Sequence, residues 1–203
     1  MNAKERIQIQ IEHWIKKGNE KITLYLSDIE IEELPELPSN LQKLYCYNVK
    51  KLPELPTSLL ELHCHNCSIK KLPELYESLQ VLDCYKCYNL KELPKLPPNL
   101  QELDCSACSI KTLSKLPEKL KSLYCNYCPI KELPELPPNL KSIHCFNCPI
   151  KSLPELPKSL QQLDCYNCPI EVLPEIPVNL QELKCSSCPI KSLPSILPVK
   201  VYL

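Results

Sequence analysis

A horseshoe-like solenoid of about nine short repeats is the fold that this sequence predicts. Three observations predict it. Leu140–Pro149 (LKSIHCFNCP), Leu160–Pro169 (LQQLDCYNCP) and Leu180–Pro189 (LQELKCSSCP) are copies of one another. The leading cysteine recurs about every 20 residues, at Cys46, Cys64, Cys84, Cys105, Cys125, Cys145, Cys165 and Cys185, with small deviations among the first intervals. A second motif, L-P-x-L-P, stands between the cysteine pairs, as in Leu133-Pro134-Glu135-Leu136-Pro137. The unit is therefore L-x-x-L-x-C-x-x-C-x-I-x-x-L-P-x-L-P-x-x. One such unit cannot bury its apolar stripe alone, whereas stacked neighbours can.

From the N-terminus, residues 1–20 are predicted to form a capping helix, because a solenoid end without a cap exposes its core. Ile7, Ile11, Trp14 and Ile15 fall at helical spacing as one apolar stripe. A membrane-surface helix and a targeting segment are the alternatives, and Glu5, Glu12 and Glu20 weigh against both. Residues 21–194 hold the repeats. In L-x-x-L-x-C the apolar residues alternate, so positions four and six face inward on a short strand. Stacked units then place these strands in a parallel sheet on the concave face, about 4.8 Å apart. Two fixed prolines per unit forbid an α-helix on the convex return path and favour extended, polyproline-type backbone. With one glycine beside 22 prolines, the turns are expected to use asparagine and proline in place of positive-φ glycine. Residues 195–203 are read as a C-terminal cap, in which Val199 to Leu203 alternates as a closing strand.

Leu140, Ile143, Cys145, Cys148 and Ile150 fall on positions one, four, six, nine and eleven of the pattern L-x-x-L-x-L-x-x-N/C-x-L. On these residues the chain resembles the leucine-rich-repeat proteins. Its 20-residue unit and L-P-x-L-P return resemble the short-repeat subfamily of bacterial type III secreted effectors, and its cysteines resemble those of repeat proteins from giant DNA viruses. The match runs from about Leu24 to Leu193. The resemblance implies an N-terminal helical cap and a scaffold role in which the concave face holds a partner. Effectors of that subfamily that act as ubiquitin ligases carry a separate catalytic domain after the repeats. This chain ends soon after its last repeat, so that activity is not expected of it.

Composition narrows the function classes. Lysine plus arginine and aspartate plus glutamate number 24 each, so the net charge is zero, and neither nucleic acid nor an anionic membrane is an expected partner. No apolar run approaches the roughly 18 residues of a membrane span. Met1 to Glu20 has no continuous apolar core of the secretory type, so an intracellular, cytoplasmic location is expected (a host's cytoplasm if the chain is viral). There is no phosphate-binding glycine loop, no H-E-x-x-H and no serine elbow, and neither a catalytic residue nor a cofactor is assigned.

The 15 cysteines comprise Cys46 and the pairs Cys64/Cys67, Cys84/Cys87, Cys105/Cys108, Cys125/Cys128, Cys145/Cys148, Cys165/Cys168 and Cys185/Cys188. Isolated C-x-x-C pairs suggest zinc or redox chemistry. In register with this repeat they occupy core positions, where free cysteine packs as a small hydrophobe. The first unit holds Leu26 and Ile29 in the same two slots, and the shortened second unit, Cys46 to Leu52, lacks the second cysteine. Structural core thiols are therefore expected. A cysteine ladder with redox or metal function is the alternative, and a self-associating structural component is a third reading.

Positions five, seven and eight of each unit should face outward on the concave side. They gather seven of the ten tyrosines, three of the four histidines and the one phenylalanine. Tyrosine suits interfaces because it offers rigid area with a polar tip. The bland reading is that strands favour aromatic residues in general; it leaves the variability of these slots unexplained. The expected partner-binding residues are Tyr45, Tyr47, His63, His65, Tyr85, Tyr124, Tyr127, His144, Phe146 and Tyr166, with Asp83, Asp104 and Asp164 as acidic points on the same surface. His63-Cys64-His65 is not expected to chelate a metal, because alternation turns Cys64 away from the histidines. The two histidines could share an ion only with another outward donor.

Overall fold

The computed structural model of the chain describes residues 3–16, 23–26, 31–192 and 200–202. Helix α1 (Ala3–Lys16) is followed by β1 (Thr23–Leu26), β2 (Ile31–Glu33), β3 (Lys43–Cys46), β4 (Val49–Lys51), β5 (Glu61–His63) and β6 (Val81–Asp83). Then come β7 (Glu102–Asp104), β8 (Ser122–Tyr124), β9 (Ser142–His144), β10 (Gln162–Asp164), β11 (Glu182–Lys184) and β12 (Lys200–Tyr202). Ten strands form one parallel sheet in the order β1-β3-β5-β6-β7-β8-β9-β10-β11-β12, and β2 pairs with β4 separately. The register is that of identical repeats: Leu82, Leu103, Leu123 and Ile143 stand opposite one another across β6 to β9. The chain is a leucine-rich-repeat solenoid with an N-terminal helical cap.

Each unit drives the same burial. In the fifth cysteine-bearing unit Leu120, Leu123, Cys125, Cys128 and Ile130 are buried, and Leu133 and Leu136 close the core from the return path. Neither helix nor strand interrupts residues 131–137, as two prolines per return require. Each return ends in a turn whose last residue is the next unit's first leucine; for example, Leu120 N–H donates to the Pro117 carbonyl at 3.0 Å and Leu140 N–H to Pro137 at 3.1 Å.

Helix α1 packs on β1 and β2. It buries Ile7 and Ile11, and the Trp14 indole N–H donates to the Thr23 carbonyl at 2.8 Å. Ile15 is exposed, contrary to the expected stripe. At 3.6 residues per turn it sits about 80° around the helix from Ile7, whereas Ile11 and Trp14 lie on either side of the contact line. At the other end, Lys200–Tyr202 pairs in parallel with β11. Val199 and Leu203, like Ile29 and Leu193, lie outside the described residues.

Asparagine does serve in place of glycine. Asn48, Asn66, Asn147 and Asn167 take φ of 56°, 52°, 56° and 53° at the eighth position, where the chain leaves the strand. The left-handed conformation belongs to the position, since Lys86, Ala107, Tyr127 and Ser187 adopt it too. It keeps the inter-repeat ladder running round the bend: the N–H groups of Ala107 and Asn147 donate to the carbonyls of Asn126 and Tyr166 at 2.7 and 3.0 Å. A β-carbon in this region costs about 1–2 kcal/mol except in asparagine, aspartate or glycine. We therefore expect Ala107→Gly to stabilise the chain by about 1 kcal/mol, and Asn66→Ala to destabilise it by a similar amount. Urea midpoints measure both, and a shift of opposite sign at either position would refute the account.

Candidate functional site

The aromatic columns form two ring assemblies on the concave sheet. In the first, Tyr25 stacks on Tyr45 at 4.7 Å between centroids and Tyr45 on His63 at 4.3 Å. Beside this column Tyr47 and Tyr85 meet His65 edge-on at 5.5 and 6.4 Å. In the second, Tyr124 stacks on His144 at 4.8 Å, Phe146 on Tyr166 at 4.5 Å, and Tyr127 meets Phe146 edge-on at 5.2 Å. The stacked distances match the strand spacing of a parallel sheet in register. Most of these rings are half-buried by one another, while Tyr25 and Tyr127 are exposed. Tyr25 thus extends the first assembly to the N-terminal edge.

Between the assemblies the face is polar and partly closed. Ser106 and Asn126, at the outward seventh position, are buried: Asn126 N–H donates to Ser106 Oγ at 3.2 Å, and Phe146 N–H donates to Asn126 Oδ1 at 3.1 Å. Small side chains there fold back onto backbone groups where the rings cannot. Asp164 corrects the expectation of an exposed acidic point. It is buried, with Oδ2 3.7 Å from His144 Nδ1. The eighth-position asparagines face each other along the edge, as in the 2.9 Å bond from Asn66 Nδ2 to Asn48 Oδ1. Their first task is the bend.

Asp83 is the polar hub of the first assembly. Its Oδ1 accepts the Tyr85 N–H at 3.0 Å, while Oδ2 lies 2.5 Å from His65 Nε2 and 3.4 Å from His63 Nδ1. Burial alone would raise the Asp83 carboxyl, but these hydrogen bonds outweigh it and hold the group well below the usual carboxylate range. The Asp83 hydrogen bond in turn raises His65. Glu61 supports the same cluster: it pairs with Lys43 at 2.8 Å, accepts Tyr45 O–H at 3.3 Å and lies 3.6 Å from His63 Nε2. Glu61 was not among the expected site residues. It stands two residues before His63, and strand alternation, carried one step further back, would have placed it on this face.

The thiols sit on the opposite side of the strands, and fourteen of them are buried. Burial pushes the Cys148 thiol up to about 12 and the Cys185 thiol up to about 11, so both are protonated at neutral pH. The two slots differ in one respect that spacing does not reveal. Ninth-position thiols donate to the sixth-position carbonyl of the preceding unit: Cys87 to Cys64 at 3.0 Å, Cys128 to Cys105 at 3.1 Å, Cys168 to Cys145 at 3.2 Å.

One thiol departs from the expected role of a sealed core residue, and one buried thiol lies beside a surface hollow. Cys188 is partly exposed, although its thiol donates to the Cys165 carbonyl at 3.1 Å like the others. Cys108 is buried and donates to the Cys84 carbonyl at 3.2 Å, but it also lines an open surface hollow of about 560 Å³. Tyr85, Tyr88 and Tyr127 stand around that hollow, together with the small residues Ala107 and Ser109 on either side of Cys108. Its role is therefore core packing with one edge near solvent.

No protein-family model and no curated protein sequence matches the chain. Solved structures do. It is 30% identical to YopM from Yersinia enterocolitica, with a TM-score of 0.54 over 87% of this chain and 48% of that one. It is 26% identical to YopM of Yersinia pestis, described as a leucine-rich effector protein, with a TM-score of 0.82 over 96% of this chain and 63% of that one. A Shigella effector leucine-rich-repeat domain shares the fold at 23% identity and a TM-score of 0.65. The chain thus spans about half of the first and under two thirds of the second of these structures.

Proposed function

From its standing as an effector-like leucine-rich-repeat protein, we propose that this chain is a non-enzymatic scaffold that captures a protein partner on its concave face. One observation carries the reading: ten aromatic and imidazole side chains of the outward positions, from Tyr45 to Tyr166, gather into two ring assemblies on one sheet. Rigid rings with polar edges give large contact area at little cost in side-chain entropy. A polar strip through Ser106 and Asn126 separates the two, which suits a partner that anchors at two points. The likeness to Yersinia and Shigella effectors supports a partner in a host cell, met by a viral or bacterial protein in its cytoplasm. No described helix is long and apolar enough to cross a membrane.

The test is affinity capture with the full chain and a variant carrying Tyr45→Ala, Tyr47→Ala, Phe146→Ala and Tyr166→Ala. The variant should lose the partner by at least ~100-fold while keeping its circular dichroism, since interface hot spots are worth about 2 kcal/mol or more each. A convex-side control, Glu135→Ala with Glu155→Ala, should bind as wild type. Capture retained by the four-fold variant sinks the concave-face reading. Size analysis across concentrations separates a foreign partner from a second copy of the chain.

A further inference from the structure

We propose that His63, His65 and Asp83 form a binding site for one divalent transition-metal ion of the zinc class. Their donor atoms lie within 4.8 Å of one another, and among the described residues this is the one such group of three. The third donor comes from the neighbouring strand, since β5 and β6 pair with His63 opposite Asp83. Cys64 takes no part: it points into the core.

The geometry fits an ion. Four donors held tetrahedrally at about 2.0–2.1 Å lie about 3.3 Å apart. The 3.4 Å between His63 Nδ1 and Asp83 Oδ2 already meets that distance. His65 Nε2, at 2.5 Å from the same oxygen, must move out by about 1 Å. Its side chain is 30% exposed, so a move of that size opens toward solvent and not into the core. Two imidazoles and one carboxylate suit zinc or cobalt; calcium and magnesium prefer oxygen alone. With three protein ligands, a fourth position stays open to water or to a donor from a partner.

The outer shell is also in place. Asp83 Oδ1 is tied to the Tyr85 N–H, which leaves Oδ2 turned toward the histidines. His63 Nε2 is buried, has no hydrogen-bond partner and lies 3.6 Å from Glu61 Oε2. With Nδ1 on the metal, Nε2–H would point at that carboxylate, the carboxylate–histidine–metal arrangement that fixes ring orientation. Tyr45, stacked 4° from parallel on His63, holds the same plane.

The second assembly supplies a built-in control. His144 and Asp164 repeat the histidine–aspartate pair at 3.7 Å, but Phe146 stands where His65 does. Two donors and a phenyl ring should hold no ion.

The experiment uses the full chain, stripped with a chelator and kept under a non-coordinating reductant, then titrated with Co²⁺ and displaced by Zn²⁺. The expected result is one Co²⁺ per chain with the visible spectrum of nitrogen and oxygen ligands. His63→Gln and His65→Gln should weaken binding by more than ~100-fold, Glu61→Gln by ~10-fold, and His144→Gln not at all. Asp83→Asn should behave as the histidine variants do; if it fails to fold, the half-exposed His65 decides. Three results would each overturn the proposal: no cobalt bound by the wild type, a thiolate-to-cobalt charge-transfer band, or His65→Gln binding as tightly as wild type.

Discussion

Leu103→Ala is expected to destabilise the chain by about 2–5 kcal/mol, a large fraction of the stability of a domain of this size. Leu103 is fully buried at the fourth position of its repeat unit, the middle residue of β7, between Leu82 and Leu123 of the flanking strands. Its truncation removes apolar area and leaves a cavity lined by neighbours that are themselves pinned in register, so little collapse can relieve it. The position also matters. A solenoid is held by nearest-neighbour contacts, so a lesion in the middle of a ten-stranded sheet weakens the coupling between its two halves. Urea unfolding should show a lower midpoint and a broadened transition. Hydrogen exchange should show protection lost first around β6 to β8 and last around the units farthest away. A loss below about 1 kcal/mol, or protection falling evenly from end to end, would refute the nearest-neighbour account.

Much of this fold is legible in the sequence because its period is. Leu140, Ile143, Cys145 and Ile150 announce strand and core by spacing alone, and the prolines of Leu133–Pro137 announce a return path without helix. The concave columns follow from alternation, and their rings do meet as columns. What spacing does not carry is depth and reach. Asp83 and Asp164 look alike in the fifth column, yet one converges on two histidines and the other is buried beside one, because Phe146 stands where His65 does. Cys108 likewise shares its slot with Cys128, and spacing does not announce that it lines a surface hollow. The left-handed bend at position eight is announced by Asn66 and Asn147 but hidden by Lys86 and Tyr127, where the backbone of the repeat overrides residue preference.

The cysteines show the same limit, and a paired substitution exposes it. Cys128→Ala is expected to cost about 1–2 kcal/mol more than Cys125→Ala, although both remove one buried sulfur. Each leaves a similar cavity, worth about 1–3 kcal/mol. The difference lies in what the sulfur does. Cys125 Sγ has no hydrogen bond among the described residues, unlike Cys84 of the same slot, whose thiol donates to the Asp104 carbonyl at 3.3 Å, so position 125 asks only for apolar volume, as Leu26 in the first unit supplies. Cys128 Sγ donates to the Cys105 carbonyl at 3.1 Å, and Cys105 is fully buried. Without the thiol that carbonyl loses its partner in a place water does not reach. A thiol is a weak donor, so the penalty falls at the lower end of the range for an orphaned buried group. Cys128→Ser keeps a donor and should recover part of the loss, whereas Cys125→Ser gains a hydroxyl with nothing to bond and should fare worse than Cys125→Ala. Denaturant midpoints of the four variants decide the matter, and equal losses at the two positions would return both thiols to the role of packing alone.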